Sequence, residues 1–89
     1  MPQRTLKIQN SLGLHLRPVS LFVAEASKYR SRIFVSKDGV RVNGKSPVGI
    51  MMLAAGEGST ITIEAVGDDA EEALDGLEDL VVRRKFDEE

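Results

Sequence analysis

The spacing of apolar residues in this chain switches repeatedly between a period of two and a period near 3.6, which restricts it to folds that interleave strands and helices. Thr5-Leu6-Lys7-Ile8-Gln9 alternates polar with apolar as a half-buried strand, and Asn10, Ser11 and Gly13 break the pattern. From Leu16 onward, Val19, Phe22, Val23 and Ala26 fall at i, i+3, i+4 and i+7, and Pro18 sits where a first helical turn tolerates it, so a helix is expected over residues 16–28. The β-rich runs 32–36 and 40–42 flank Lys37-Asp38-Gly39, whose Asp-Gly pair suits the positive φ angles of a tight hairpin. Ser46 as N-cap with Pro47 at the first helical position opens a short helix. Its stripe of Val48, Met51, Met52 and Ala55 runs until Gly56.

Residues 60–65 alternate as a fourth strand. Asp68 and Glu71 have capping-box spacing for a final helix that turns Ala70, Leu74, Leu77 and Val81 inward and carries Arg83, Arg84 and Lys85 in its last turn. Residues 86–89 are expected to fray. The order βαββαβα is that of an α+β, two-layer fold: a four-stranded antiparallel sheet with three helices on one face and water on the other. Length restricts this to one core, because 89 residues with 42% hydrophobic side chains leave no room for a second. Residues 1–89 therefore read as a single domain.

The absence of cysteine excludes disulfides, thiolate metal sites and thiol catalysis together, and it makes the cytoplasm the expected location. The charged start, Met1-Pro2-Gln3-Arg4-Thr5-Leu6-Lys7, lacks the apolar stretch of a signal peptide, and the longest apolar run, residues 47–55, is too short to cross a membrane. A net charge of −2 conceals a division. Residues 1–50 hold nine Lys/Arg against two acids, a net of +7, whereas residues 51–89 hold three against twelve, a net of −9. Anionic ligands and acidic partners are expected at the basic half.

Gly39-Val40-Arg41-Val42-Asn43-Gly44-Lys45-Ser46 matches the phosphate-loop pattern letter for letter. That loop must follow a buried strand of a parallel sheet, and here Gly39 belongs to a hairpin turn while Val40 and Val42 alternate as a strand, so a nucleotide site is rejected. His15 is the only histidine. It precedes a helix opened by Pro18, so an anion on its ring would stand beside the unsatisfied N–H groups of Leu16 and Arg17 at the helix's positive end. Arg17 adds a fork of donors suited to phosphate oxygens, and an uncompensated cation is otherwise mildly unfavourable there. The residues thus point to His15 as an acceptor and donor of a phosphoryl group. Metals have no role in this reading.

The chain resembles the histidine-containing phosphocarrier family, HPr, of the bacterial phosphoenolpyruvate-dependent sugar phosphotransferase system. The likeness lies in Gly13-Leu14-His15, Arg17-Pro18, Asn43-Gly44-Lys45-Ser46, Gly49-Ile50-Met51, Leu53-Ala54, and Gly56 with Gly58 before Thr60-Ile61, and it spans essentially the whole chain. It implies an open-faced β-sandwich in which His15 accepts phosphate at Nδ1 from phosphorylated enzyme I. The carrier then donates it to sugar-specific enzyme IIA domains as a monomer, without a cofactor and without catalysing a reaction of its own. It also implies regulation through phosphorylation of Ser46 by HPr kinase/phosphorylase. Leu16, Ser20, Pro47, Val48, Met51 and Met52 are the expected partner interface, although Val48 and Met52 fit a helix core equally well.

Leu12, Leu16 and Pro47 depart from the family's usual residues and bear on partner choice. Two other classes are open. A regulatory module signalling through its phosphorylation state uses the same residues. A nucleic-acid binder could use the basic half, but Phe22 and Phe34 fall in core patterns, which leaves no stacking platform. The sugar lies beyond what this chain encodes.

Overall fold

A computed structural model describes residues 2–10 and 13–87. Its elements are β1 (Gln3–Lys7), α1 (Leu16–Ala26), β2 (Arg32–Lys37), β3 (Val40–Asn43), α2 (Pro47–Met52), β4 (Thr60–Val66) and α3 (Ala70–Glu78). Beyond α3 the chain continues through a π-helical turn, Asp79–Arg83, and a 3₁₀ turn, Lys85–Asp87. The strands form one antiparallel sheet in the order β1-β4-β2-β3. This is the α+β open-faced sandwich that the element order predicts.

Alternation decides which face is covered. Leu6 of β1, Ile33 and Val35 of β2, and Ile61, Ile63 and Ala65 of β4 are buried, and they meet Val19, Phe22 and Ala26 of α1, Ile50 of α2, and Ala73, Leu74 and Leu77 of α3. Each large side chain removed from water in this way contributes about 1.5–3 kcal/mol relative to leaving it exposed. The other face stays wet: Thr5 and Thr62 share a hydroxyl contact at 3.2 Å, and Arg41 donates to Glu64 at 3.0 Å. Among the described residues no helix is long and apolar enough to cross a membrane.

Several local expectations are corrected. β1 begins and ends two residues earlier than the alternation suggests, because its ladder to β4 runs from Gln3–Glu64 to Lys7–Thr60. Helix α1 stops at Ala26 rather than Lys28, and Ser27 and Lys28 close it as a turn. Helix α2 ends at Met52, where Leu53 caps it and Ala54 takes φ +52°, so it never reaches Gly56. Its inward residue is Ile50, followed by Leu53 and Ala55, and the stripe through Val48, Met51 and Met52 faces solvent instead.

Asp69, not Asp68, occupies the N-cap of α3, and its side chain makes no cap bond. The carboxylate instead accepts the N–H groups of Arg30 and Ser31, each at 2.9 Å, and so pins the loop between α1 and β2 to the start of α3. Phe34 is half-buried on the wet face, with the Arg41 guanidinium 3.8 Å above its ring. Phe86 does not fray: it is completely buried at φ +59°, held in a turn that packs against α1. Leu12 lies outside the described residues, as do Glu88 and Glu89 of the expected frayed end.

Candidate functional site

His15 occupies the N-cap position of α1 in extended backbone (φ −108°, ψ −169°), and its carbonyl accepts the N–H of Val19 at 2.9 Å. The ring does not cap the helix, and the residue is half-exposed. Leu16, Arg17 and Pro18 form the first turn. Pro18 has no N–H, so the orphan donors at this helix end come down to the amides of Leu16 and Arg17. Both residues are solvent-exposed. Backbone amides at a helix start, with the positive end of its dipole, suit an anion carried on the neighbouring ring.

Three contacts place His15. The Leu14 N–H donates to the Ala55 carbonyl at 2.8 Å, and the Leu14 side chain is buried beneath the loop. The Asn10 Nδ2 donates to the Gly13 carbonyl at 2.7 Å. Gly13 has φ +67°, and a Cβ there would collide with the Ala55 carbonyl and with Gly56. Gly13 therefore combines a left-handed turn with a close backbone approach, and both need glycine. Asn10 is a contributor that the sequence reading did not single out: it is buried in the loop, a position that the sequence does not display and the hydrogen bond to Gly13 satisfies.

The segment from Gly39 to Ser46 is a hairpin turn, strand β3 and a second turn, so it lacks the geometry of a phosphate loop. Ser46 is the N-cap of α2, its Oγ accepting the Gly49 N–H at 3.1 Å, with Pro47 at the first helical position. Leu16, Val48, Met51 and Met52 are 68%, 68%, 45% and 74% exposed, and Ser20 and Pro47 are exposed with them. Since α1 packs against α2, these side chains and His15 belong to one pair of adjacent helices. The Ser20 hydroxyl donates back to the Leu16 carbonyl at 2.9 Å.

The C-terminal turn also comes to this end of α1. The carboxyl of Asp87 is held below its ordinary value, chiefly by its hydrogen bonds from Arg84 and in smaller part by the charge of Arg17. Among the described residues no group of three or more His, Asp or Glu side chains is arranged to hold a metal ion.

An open-faced sandwich presenting a half-exposed histidine at a helix start is the arrangement that the resemblance to the phosphocarrier class implies. The family model for the PTS HPr component phosphorylation site matches residues 2–83. The HPr-like protein Crh of Halalkalibacterium halodurans is 46% identical over 77 residues, covering 86% of this chain and 92% of its own. The phosphocarrier protein HPr of Neisseria meningitidis serogroup A is 44% identical over 81 residues, covering 91% of each chain. A crystal structure of HPr from Thermoanaerobacter tengcongensis superposes with a TM-score of 0.95 at 48% identity, over 100% of this chain and 99% of that one. The chain belongs to the HPr family, and it is a phosphoryl carrier of the phosphotransferase system.

Proposed function

We propose that His15 is the residue that carries the phosphoryl group. Nδ1 attacks phosphorus on phosphorylated enzyme I, a P–N bond forms as the bond to enzyme I breaks, and the reverse exchange delivers the group to an enzyme IIA domain. The observation that carries this reading is the half-exposed imidazole at the N-cap of α1, directly before the amides of Leu16 and Arg17. Those amides and the Arg17 guanidinium spread the phosphate's charge without reorganising, while open surroundings let donor and acceptor approach in turn. The protein works as a cytoplasmic, monomeric carrier and turns over no substrate by itself.

Docking uses Leu16, Ser20, Pro47, Val48, Met51 and Met52, a patch of flexible and apolar side chains beside the acceptor. Incubation with phosphoenolpyruvate and enzyme I should yield an acid-labile, alkali-stable phosphate on the wild type and none on His15→Ala. Equal labelling of the two proteins would end the assignment.

Ser46 supports a regulatory role. Its Oγ caps α2 beside the docking residues, so a phosphate dianion there would repel acidic partner groups from the same face. The agent is HPr kinase/phosphorylase, and the 46% identity to an HPr-like protein Crh makes signalling through the phosphorylation state the second reading. Kinase with ATP should place an acid-stable phosphate on Ser46; no incorporation would remove this role.

A further inference from the structure

At the end of the wet sheet face remote from His15 lies a polar hollow of about 180 Å³, lined by Arg32, Ile33, Phe34, Asn43 and Lys45. The separation follows from register. Arg32 pairs with Val66 at one end of β4, whereas the chain leaves for His15 after Lys7, which pairs with Thr60 at the other.

The hollow concentrates positive charge that nothing nearby neutralises. Among the described residues neither Arg32 nor Lys45 makes an ion pair, and no carboxylate lines the walls. The Lys45 Nζ is steadied by donating to the Tyr29 carbonyl at 2.8 Å, which fixes its position, keeps its charge and leaves two further N–H donors. The Asn43 Oδ1 accepts the Lys45 N–H at 2.8 Å, so the amide is oriented with its Nδ2 group available to donate. The Arg32 guanidinium lies 5.4 Å from the Phe34 ring centroid, where a cation–π contact restrains an otherwise exposed side chain. The carboxylate that pairs opposite Phe34, Glu64, is already engaged by Arg41 at 3.0 Å.

We propose that this hollow binds a small phosphomonoester, a phosphate dianion on a skeleton of roughly three carbons, at a site separate from the acceptor histidine. Two cations and an amide lining one hollow from different strands and turns suit an anion with several oxygens and a double charge. A hollow of about 180 Å³ is smaller than the 300–1,000 Å³ of drug-sized pockets, so the ligand must be small. The half-buried Phe34 ring supplies the apolar contact for its carbons.

The test is a two-dimensional ¹H–¹⁵N titration of the intact protein with glycerol 3-phosphate, with glycerol and sodium chloride at matched ionic strength as controls. Saturable shifts should centre on the amides of Arg32, Phe34, Asn43 and Lys45 with the phosphoester and be absent with either control. Arg32→Gln alters an exposed side chain and keeps the fold, as an unchanged Tm will verify, and it should weaken binding about tenfold, the effect of losing one charged hydrogen-bonding group. Lys45→Gln should weaken it comparably. Shifts that sodium chloride reproduces, an affinity unchanged in Arg32→Gln, or saturation confined to the amides of residues 15–17 would overturn the proposal.

Discussion

One carboxylate oxygen of Asp69 accepts both the backbone N–H of Ser31, at 2.9 Å, and the Ser31 hydroxyl, at 2.5 Å. Together with the Arg30 N–H on the second oxygen, these bonds clip the α1–β2 loop to α3 across a separation of 38 residues. The hydroxyl, then the backbone donors, hold the carboxyl down from 3.8 to about 2.

The sign of the acid response follows. A carboxyl whose folded value lies below its unfolded value stabilises the protein above the unfolded value, and that contribution is lost as pH falls from about 4 through about 2. Thermal melts across that window should show the wild type losing stability more steeply than Asp69→Asn, with the two proteins converging at the acid end. Parallel curves would show that Asp69 is not the group responsible.

Tyr29 is the chain's only tyrosine, so its ionisation can be read directly by ultraviolet absorbance. Burial first, then the hydrogen bond its hydroxyl donates to Glu25 at 2.8 Å, push it from 10.0 up to about 12. The neutral phenol stabilises the fold below pH about 10, and the contribution disappears as pH rises through about 12. A midpoint near 10 while circular dichroism still reports a folded protein would contradict this placement.

Arg17 stands two residues after the half-exposed His15 in the first turn of α1. If its guanidinium spreads the phosphate's charge, Arg17→Gln should slow phosphoryl transfer from enzyme I about a hundredfold, the usual effect of removing one preorganised donor. Arg17→Lys should fall between, since it keeps the charge and loses the fork. Rapid-quench measurement of phosphohistidine formation checks both, and equal rates in all three proteins would remove Arg17 from the chemistry.

Phe86 is completely buried three positions before the last residue, Glu89. Phe86→Ala should therefore lower unfolding free energy by about 3–5 kcal/mol in urea denaturation, a core-sized loss. A change near zero would restore the picture of a frayed end.

The element order and the wet and covered sheet faces were legible because periods of two and 3.6 are strong over five or more residues. Ile61, Ile63 and Ala65 of β4, and Leu74 and Leu77 of α3, lie inward as their spacing requires. Phase failed where the element is short. Helix α2 has six residues, and Val48, Ile50, Met51 and Met52 surround its axis with apolar groups, so spacing alone could not show that Ile50 faces in. Phe34 was misread because the alternation that buries Ile33 and Val35 must turn Phe34 outward. Phe86 was unreadable for another reason. Lys85, Phe86 and Asp87 all take positive φ, which is uncommon for non-glycine residues, and nothing in this Lys-Phe-Asp run signals three in succession. For the candidate site, the place of His15 and Arg17 at the start of α1 follows from a lone histidine before a proline-opened helix, whereas the Asn10 bond to Gly13, three residues on, depends on a loop conformation that residue spacing does not encode, and the return of Asp87 towards Arg17 depends on packing between distant segments.

Val48 and Met52 contribute little to the core. Val48→Ser with Met52→Ser should leave stability within about 0.5 kcal/mol per substitution, as for ordinary surface positions. The same double variant should slow transfer to enzyme IIA domains while leaving the chemistry of His15 intact. Unchanged transfer kinetics would place the docking surface elsewhere.

Because Ile50 anchors α2 from beneath while Val48, Met51 and Met52 crown it, the same turn and a half of helix separates what must be kept from what can be rewritten. A lineage can exchange its outward side chains one at a time and drift towards new recipients without passing through an unfolded intermediate. Duplicated copies of such a chain could thus diverge into parallel circuits that share an architecture yet ignore one another's traffic.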